Sequence, residues 1–231
     1  MSNNFLCVNF AYQPTKNMKY LGPKGSIPVK HKGTSKPLIM HFMRSINDAF
    51  KGSELYHKVV VGFESDKLLK SIDDIEVGYS VVLDHKNTNH GKILKDILLK
   101  YDYNKFNGCI INSDISYLLQ SNITIDTNNN YVFYTSTNNS ETENTCNIDN
   151  NSVEYIMYNT TENYWTGMCY LSNETIRLIK HLNLVYFTDP LFLLEIINKT
   201  ISCGSKFESY KLNDKDYTYI KNTALKKTKA L

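Results

Sequence analysis

The chain has 231 residues, of which 42% are hydrophobic and 12% aromatic, so it is long and apolar enough to bury a sizeable core. Its 26 Lys and Arg exceed its 23 Asp and Glu by only three charges, too small an excess to favour a nucleic-acid binder. Its five cysteines are odd in number and form no Cys-x-x-Cys pair, which argues against a disulfide framework or a zinc site.

The N-terminal sequence has no basic segment followed by a long apolar run, so we expect neither a signal peptide nor a membrane span. We therefore expect a soluble cytoplasmic protein with no membrane or nucleic-acid partner. Arg is nearly absent whereas Lys, Asn and Ile abound, a bias typical of an AT-rich genome such as that of a virus (then in the host cytoplasm), a parasite or a low-GC bacterium. Association into a homo-oligomer stays open.

The first predicted element is a buried strand over Phe5–Tyr12, which is nearly continuous in apolar residues. Pro14 opens a turn after it. The segment Pro23–Ile39 is predicted to be a loop, because its three prolines cannot donate to a central ladder or lie inside a helix. An amphipathic helix is predicted next, over Leu38–Phe50, since its apolar residues recur at helical spacing.

The loop before this helix is rich in lysine and glycine. Its lysines are Lys24, Lys30, Lys32 and Lys36, and its glycines are Gly25 and Gly33. A basic loop that leads into a helix is suited to hold phosphate, and glycine lets the backbone approach a ligand closely. The alternative that the residues leave open is an ordinary surface loop with solvated lysines.

Strands and helices then alternate. The predicted strands are Val59–Phe63, Tyr79–Leu83 and Asn107–Asn112, and the predicted helices are Asp66–Ile72 and Lys92–Leu99. This alternation predicts an α/β fold with a mixed, mostly parallel sheet and helices on both faces, a Rossmann-like arrangement.

Polar segments follow two of these strands. The first, Asp84–Gly91, leads into a helix, and Asn89 is a candidate cap for it. The second is Ser113-Asp114, and a carboxylate at the end of a central parallel strand lies where open α/β sheets bind ligands. Magnesium prefers such oxygen ligands. The alternative is that Asp114 caps a helix predicted over Ile115–Gln120.

The second half of the chain is predicted to add more strands and helices around a polar tract. The tract, within residues 128–151, is too polar to bury surface and is predicted to be a loop or partly disordered. The predicted strands are Tyr131–Tyr134, Val153–Tyr158, Tyr164–Ser172 and Lys206–Leu212, and the predicted helices are Glu174–His181, Pro190–Ile197 and a terminal helix that ends at Lys227.

Several of these stretches together resemble the sugar-phosphate nucleotidyltransferases, which join a nucleoside triphosphate to a sugar phosphate and release pyrophosphate. The specific match is to the family signature "PK…L.PV.GKPLI", with a short insertion around Lys30–Lys32. The matching residues are Pro23-Lys24, Ile27-Pro28-Val29, Gly33 and Lys36-Pro37-Leu38-Ile39. Further similar stretches follow in family order: the loop that ends at Gly91, the strand that ends in Ser113-Asp114, the Trp-Gly strand 164–172 and the acidic stretch 213–217.

The resemblance implies the nucleotide-diphospho-sugar transferase fold as one domain of residues 1–231, with a nucleotide-binding half (1–120) and a sugar or acceptor half (121–231). It also implies Mg²⁺ as the cofactor and a nucleoside triphosphate and a sugar phosphate as substrates. The implied site residues are Lys24 for catalysis; Tyr12, Lys16, Lys19, Asn89, His90 and Gly91 at the nucleotide; Trp165 and Gly167 at the sugar; and Asp114 and Asp216 at the metal.

The chain departs from the family pattern in its nucleotide loop, because no glycine lies between Tyr12 and Gly22, and Lys16 and Lys19 stand where an arginine would be usual. Two other functions therefore stay open. One is a glycosyltransferase of the same fold that uses a nucleotide-sugar donor, although Asn112 stands where an Asp-x-Asp motif would begin. The other is a noncatalytic binding protein. Two of the implied site residues also have a structural alternative. For Trp165 the alternative to sugar binding is a place in the core, and for Asp216 the alternative to metal binding is a helix cap.

Overall fold

A computed structural model of the protein describes residues 3–11, 22–62, 64–72, 78–83, 90–138, 144–182 and 193–221. In chain order the strands are β1 (Asn4–Phe10), β2 (Pro28–His31), β3 (Thr34–Pro37), β4 (Glu54–Val61), β5 (Tyr79–Leu83), β6 (Gly108–Asn112), β7 (Tyr117–Leu119), β8 (Asn130–Thr135), β9 (Asn144–Asp149), β10 (Ser152–Tyr158), β11 (Tyr164–Ser172), β12 (Phe207–Lys211) and β13 (Tyr217–Tyr219). The helices are α1 (Leu38–Ala49), α2 (Ser65–Ile72), α3 (His90–Leu99), α4 (Asn173–His181) and α5 (Leu193–Ser202).

A mixed sheet of nine strands forms the centre, in the order β5-β4-β1-β6-β11-β8-β12-β10-β9. Strands β5, β4, β1 and β6 are parallel to one another, whereas β11 is antiparallel to both β6 and β8. The predicted α/β class is confirmed, but parallel pairing is less extensive than predicted. The β9–β10 hairpin illustrates why: antiparallel strands need only a tight turn, here Asn150 and Asn151, which both have positive φ.

Helices cover both faces of this sheet, as predicted. Strand β1 shows the alternation that a doubly covered strand requires. Phe5 and Cys7 belong to the core cluster that includes α1 and α2, whereas Leu6 and Val8 belong to the cluster that includes α3, α4 and α5. None of the helices in the described ranges is long and apolar enough to span a membrane.

The segment predicted as a continuous loop, Pro23–Ile39, contains the β2–β3 hairpin, so that prediction was wrong for part of its length. Pro28 pairs with Pro37 at the open end of the hairpin, an end position where the missing N–H of proline is tolerated. Lys32 and Gly33 form the tight turn with φ of 46° and 80°, the positive values that a two-residue hairpin turn requires.

Besides β2 and β3, three further short strands were not predicted. β7 replaces the helix predicted over Ile115–Gln120, and β13 begins where the terminal helix was expected. These two strands pair with each other across a long chain separation, Tyr217 opposite Leu119, so tertiary pairing overrides local preference. β9 lies within the polar tract, where Cys146 is buried against β10. The rest of the predicted terminal helix, from residue 222, lies outside the described residues.

Candidate active site

Lys24 lies beyond the carboxyl end of β1, in a short 3₁₀ turn (Lys24–Ser26). The turn is fixed to the sheet because the Gly25 N–H donates to the Ala11 carbonyl oxygen at 3.1 Å. A Cβ at position 25 would lie 3.0 Å from that oxygen and 2.9 Å from Leu68 Cδ1. The absence of a side chain at Gly25 therefore serves close packing of the turn against the end of β1.

Asp114 lies just beyond the carboxyl end of β6, the parallel neighbour of β1. Its Oδ1 accepts a hydrogen bond of 3.0 Å from the Ser116 N–H and a second of 3.0 Å from Lys24 Nζ. The Lys24 and Asp114 side chains are only 10% and 15% exposed, so their attraction is screened less than that of an ion pair in open solvent. The structure therefore brings the predicted catalytic lysine to the predicted metal-binding carboxylate.

Gly167, on β11, contacts the backbone at Ser113 and Asp114. Its carbonyl oxygen accepts hydrogen bonds from Ser113 N at 2.9 Å and from Ser113 Oγ at 3.0 Å. A Cβ at Gly167 would lie 2.9 Å from Asp114 N. Gly167 is thus part of the same cluster as Lys24 and Asp114, and its contact is with the backbone that carries the carboxylate.

His90 and Gly91 form the first turn of α3. The His90 ring packs 4.6 Å, between centroids, from the ring of Phe10, the last residue of β1. Both residues therefore lie at the same edge of the sheet as Lys24 and Asp114. The other predicted nucleotide-binding residues, Tyr12, Lys16, Lys19 and Asn89, lie outside the described residues.

Trp165 is a core residue rather than an exposed platform. The residue is only 4% exposed, and its Nε1–H donates to the Met168 carbonyl oxygen at 3.1 Å. It packs in the cluster on the α3 and α4 face of the sheet. This geometry corrects the prediction that Trp165 stacks on a sugar, because no ring face is left open to a ligand of that size.

Asp216 caps the turn before β13. Its Oδ1 accepts from Ser121 Oγ at 2.6 Å and its Oδ2 accepts from the Asn213 N–H at 2.9 Å. These hydrogen bonds, that from Ser121 above all, lower the pKa of the Asp216 carboxyl. Both carboxylate oxygens are therefore used in holding the local turn, which is the capping alternative that the sequence left open, although the element capped is a turn and not a helix.

The β7–β13 pair keeps Asp216 away from Asp114. At one end of the pair the Ile220 N–H donates to Ser116 O at 3.0 Å, and at the other the Gln120 N–H donates to Asp216 O at 2.8 Å. Ser116 and Gln120 are four residues apart, about 13 Å of extended chain. Two ligands of one Mg²⁺ ion lie within about 4.2 Å of each other. The predicted pair of metal ligands therefore does not form.

Asp114 alone of the predicted pair fits a role in holding Mg²⁺. Lys24 and Ser116 both donate to its Oδ1, which leaves Oδ2 as the oxygen not used by these two donors. At this end of β13 the chain continues as Ile220 and Lys221, so the strand brings no carboxylate here. Among the described residues, no three His, Cys, Asp or Glu side chains converge as a metal site. The residues thus suit the mode in which one carboxylate and the substrate phosphates hold the ion.

Comparison with known proteins finds likeness in structure. No protein-family model matches the chain, and no curated protein matches its sequence. The inositol-1-phosphate CTP transferase from T. maritima superposes with a TM-score of 0.71 at 14% identity, covering 97% of this chain and 96% of that one. The CTP:phosphocholine cytidylyltransferase from Streptococcus pneumoniae gives 0.71 at 13% identity, covering 99% and 98%. The chain has the nucleotide-sugar nucleotidyltransferase fold.

A third structure of this fold is the nucleoside-diphosphate-sugar pyrophosphorylase from Vibrio cholerae, with a TM-score of 0.69 at 13% identity, covering 98% of this chain and all of that one. The likeness spans the whole nucleotidyltransferase fold, including the parallel and the mixed parts of the sheet. At such identities it establishes the architecture, and the chemistry has to be argued from the site.

Beneath the site of this nucleotidyltransferase fold lies a buried polar network that sequence reasoning missed. Asn112 Nδ2 donates to Asn9 Oδ1 at 2.8 Å, and Asn9 Nδ2 lies 3.1 Å from His57 Nδ1. His57 Nε2 lies 3.2 Å from Asn47 Oδ1 on α1. The network joins β1, β4, β6 and α1 two residues before Asp114. Its one signal in the sequence is the presence of polar residues inside apolar strands.

Proposed function

We propose that the protein is a nucleotidyltransferase that joins a nucleoside triphosphate to a sugar phosphate, or a similar phosphorylated acceptor, and releases pyrophosphate. The observation that carries the proposal is the partly buried Lys24–Asp114 ion pair at the carboxyl ends of β1 and β6. Strand β1 has β4 on one side and β6 on the other, and open α/β sheets bind ligands in the crevice at such a switch point.

In the proposed reaction, an oxygen of the acceptor phosphate attacks the α-phosphorus of the nucleotide. The new O–P bond forms as the bond from the α-phosphorus to the departing pyrophosphate breaks. Catalysis is positioning and charge stabilisation, because phosphoryl-type transfer requires little covalent chemistry of the protein. The Lys24 ammonium stabilises the negative charge that develops on the phosphate oxygens, and Asp114 orients that ammonium through their 3.0 Å hydrogen bond.

Mg²⁺ is the proposed cofactor, held by Asp114 together with the substrate phosphates. When bound, it neutralises charge on the phosphate oxygens. Asp114 Oδ2 is the oxygen proposed to hold it, since Lys24 and Ser116 donate to Oδ1. Asp216 has no part in this site.

The substrate class is proposed from what the similar structures share. The T. maritima protein is named as a CTP transferase for inositol 1-phosphate, and the S. pneumoniae protein as a cytidylyltransferase for phosphocholine. The acceptor differs between them, but it is a phosphorylated small molecule in both. We propose that the half of the chain before residue 121 binds the nucleotide, with His90 and Gly91 beside it, and that the later half, with Gly167 nearest the site, faces the acceptor.

The test is release of pyrophosphate in the presence of Mg²⁺ across a panel of nucleoside triphosphates and sugar phosphates. We expect one pair of substrates to support turnover and Asp114→Asn to abolish it, because Asn keeps the acceptor for Ser116 N–H but removes the charge that holds Lys24. Turnover of Asp114→Asn at the wild-type rate would contradict the assignment.

The matched control is Asp102→Asn. Asp102 Oδ1 accepts from the Asn104 N–H at 2.9 Å, the same two-residue relation that Asp114 has with Ser116. Its side chain is exposed, and it precedes the amino end of β6 whereas Asp114 follows the carboxyl end. Its substitution should leave turnover unchanged, and so should Asp216→Asn. Transfer of sugar from a nucleotide-sugar without pyrophosphate release would instead favour a glycosyltransferase.

A noncatalytic nucleotide-binding role is the second candidate. It is favoured because Asp114 and Asp216 lie near opposite ends of the β7–β13 pair. The separation is about 13 Å, the length of four residues of strand. This candidate predicts that a nucleoside triphosphate raises the melting temperature, since a ligand bound only by the native state stabilises it, while no acceptor in the panel supports pyrophosphate release.

A further inference from the structure

We propose that an irregular segment of β11, Trp165–Met168, is a device that positions Asp114, with Gly167 as the positioning residue. The inference rests on the proposed function insofar as Asp114 takes part in the reaction. Its structural part, that Gly167 determines whether Asp114 can reach Lys24, is testable without any substrate.

The segment is held in its irregular form by its own side chains. The pairing of β11 with β8 shifts register between Trp165 and Cys169, as at a β-bulge, a feature that is common next to active sites. The Thr166 Oγ1–H donates to Phe133 O on β8 at 2.9 Å, and Trp165 Nε1–H donates to Met168 O at 3.1 Å. All of these side chains are buried, so the segment is fixed from the core side.

On its other side the segment meets the chain that carries Asp114. Continuing the pairing of Met168 with Asn112 places Gly167 opposite Ser113. The Gly167 carbonyl oxygen accepts from both Ser113 N and Ser113 Oγ. Gly167 has φ of +81°, a backbone conformation that residues with a side chain rarely adopt. In this conformation its carbonyl points towards Ser113.

Only glycine leaves room for Asp114 where it is. A Cβ at position 167 would lie 2.6 Å from Ser113 Oγ, 2.9 Å from Asp114 N and 3.2 Å from Asp114 Cβ. The Ser113 hydroxyl can rotate away by giving up its hydrogen bond. The Asp114 backbone can yield only by moving the carboxylate, which Lys24 and Ser116 N–H hold at 3.0 Å each.

A matched control exists for the backbone strain of a substitution at Gly167. Gly52 has φ of +93°, and a Cβ there would meet no heavy atom of the described residues within 4 Å. Gly52→Ala and Gly167→Ala thus introduce a side chain at a similar φ, but only the second presses on Asp114.

The first experiment measures the coupling between Lys24 and Asp114 with double-mutant cycles, in which Lys24→Met and Asp114→Asn are combined and the free energy of unfolding is measured. The cycle is run in the wild-type, Gly167→Ala and Gly52→Ala backgrounds. We expect the coupling to be lost in Gly167→Ala and retained in Gly52→Ala. Equal coupling in all three backgrounds would overturn the proposal.

If Gly167→Ala does not fold, Thr166→Val replaces it. This change of similar shape removes the two hydrogen bonds of Thr166 Oγ1, the one donated to Phe133 O and the one accepted from the Met168 N–H. The Lys24–Asp114 coupling should then weaken, and an unchanged coupling would overturn the proposal.

The second experiment measures pyrophosphate release by Gly167→Ala with the substrates found by the panel. A displaced catalytic group lowers kcat far more than it raises KM. We therefore expect Gly167→Ala to lower kcat about 100-fold and Gly52→Ala to keep the wild-type kcat. Loss of coupling with unchanged kcat would keep the positioning role of Gly167 and refute the role of Asp114 in the reaction. An unchanged coupling refutes the positioning role whatever the activity.

Discussion

His57 is buried, at 2% exposure, in a position that suits only its neutral form. Its Nε2–H donates to Asn47 Oδ1, and its Nδ1 accepts from Asn9 Nδ2, so a second proton on Nδ1 would point at another donor. Burial lowers the pKa of His57 from 6.5 to about 4. The ring is therefore neutral near pH 7 and acts as a structural link below Asn112 and the site.

This lowered pKa predicts acid sensitivity. Between pH 6.5 and pH 4 the unfolded state binds a proton at His57 that the folded state does not, so the free energy of unfolding falls as pH falls through this window. The loss should approach about 3 kcal/mol at pH 4. It is measured as the difference between the pH profiles of the wild type and His57→Gln in denaturant unfolding.

His57→Gln is the informative variant because His31 and His41, whose pKa values are also lowered by burial, titrate in both proteins. Their contribution therefore cancels in the comparison. Parallel profiles for the wild type and His57→Gln between pH 4 and pH 7 would show that His57 is not the group responsible.

At the scale of residues, the proximity of Lys24 and Asp114 was predictable from the sequence, and the roles of the two residues stay predictions. Lys24 and Asp114 each follow a parallel strand, and the ends of neighbouring parallel strands meet at one edge of the sheet. Asp216 was assigned through the order of similar stretches alone, and only the β7–β13 register shows where it lies. Trp165 could not be classified, because an aromatic in a strand suits both a core and a binding face.

At the scale of elements, β11 joins the two halves of the sheet and carries the irregular segment beside Asp114. Replacing Trp165 by Phe removes the hydrogen bond to Met168 O and part of a buried ring. We expect the free energy of unfolding to fall by about 1–3 kcal/mol, measured by denaturant unfolding at unchanged m-value. The acceptor KM should not change. A raised KM with wild-type stability would restore the interpretation that Trp165 contacts a sugar.

Elements with a clear period or a clear cap were predictable. The apolar stripe of α1 was visible in the sequence. The structure adds that Ser172 caps α4, since its Oγ accepts from the Thr175 N–H. The short strands were not. β7 and β13 have three residues each, too few to show alternation, and each exists because the other pairs with it. β9 was hidden by the polar composition of the tract around it.

At the scale of the whole molecule, the β6–β11 contact separates the parallel half of the sheet (β5, β4, β1 and β6) from a mixed half, in which β12 is parallel to β8 and the other strand pairs are antiparallel. The Lys24–Asp114 pair lies at the parallel side of this contact and Gly167 at the mixed side. A ligand in the crevice would therefore touch both halves. This arrangement explains why the site is assembled from segments more than 50 residues apart in the chain, Lys24 and Asp114 being separated by 90 residues and Ser113 and Gly167 by 54.

The most direct test of this account is calorimetric titration of a nucleoside triphosphate with Mg²⁺ into the wild type, Lys24→Met and Lys100→Met. Lys100 is an exposed lysine just beyond α3 and controls for the loss of one positive charge. We expect Lys24→Met to weaken binding by at least about ten-fold, about 1.4 kcal/mol, and Lys100→Met to bind as the wild type does. Equal affinity of Lys24→Met and the wild type would contradict it.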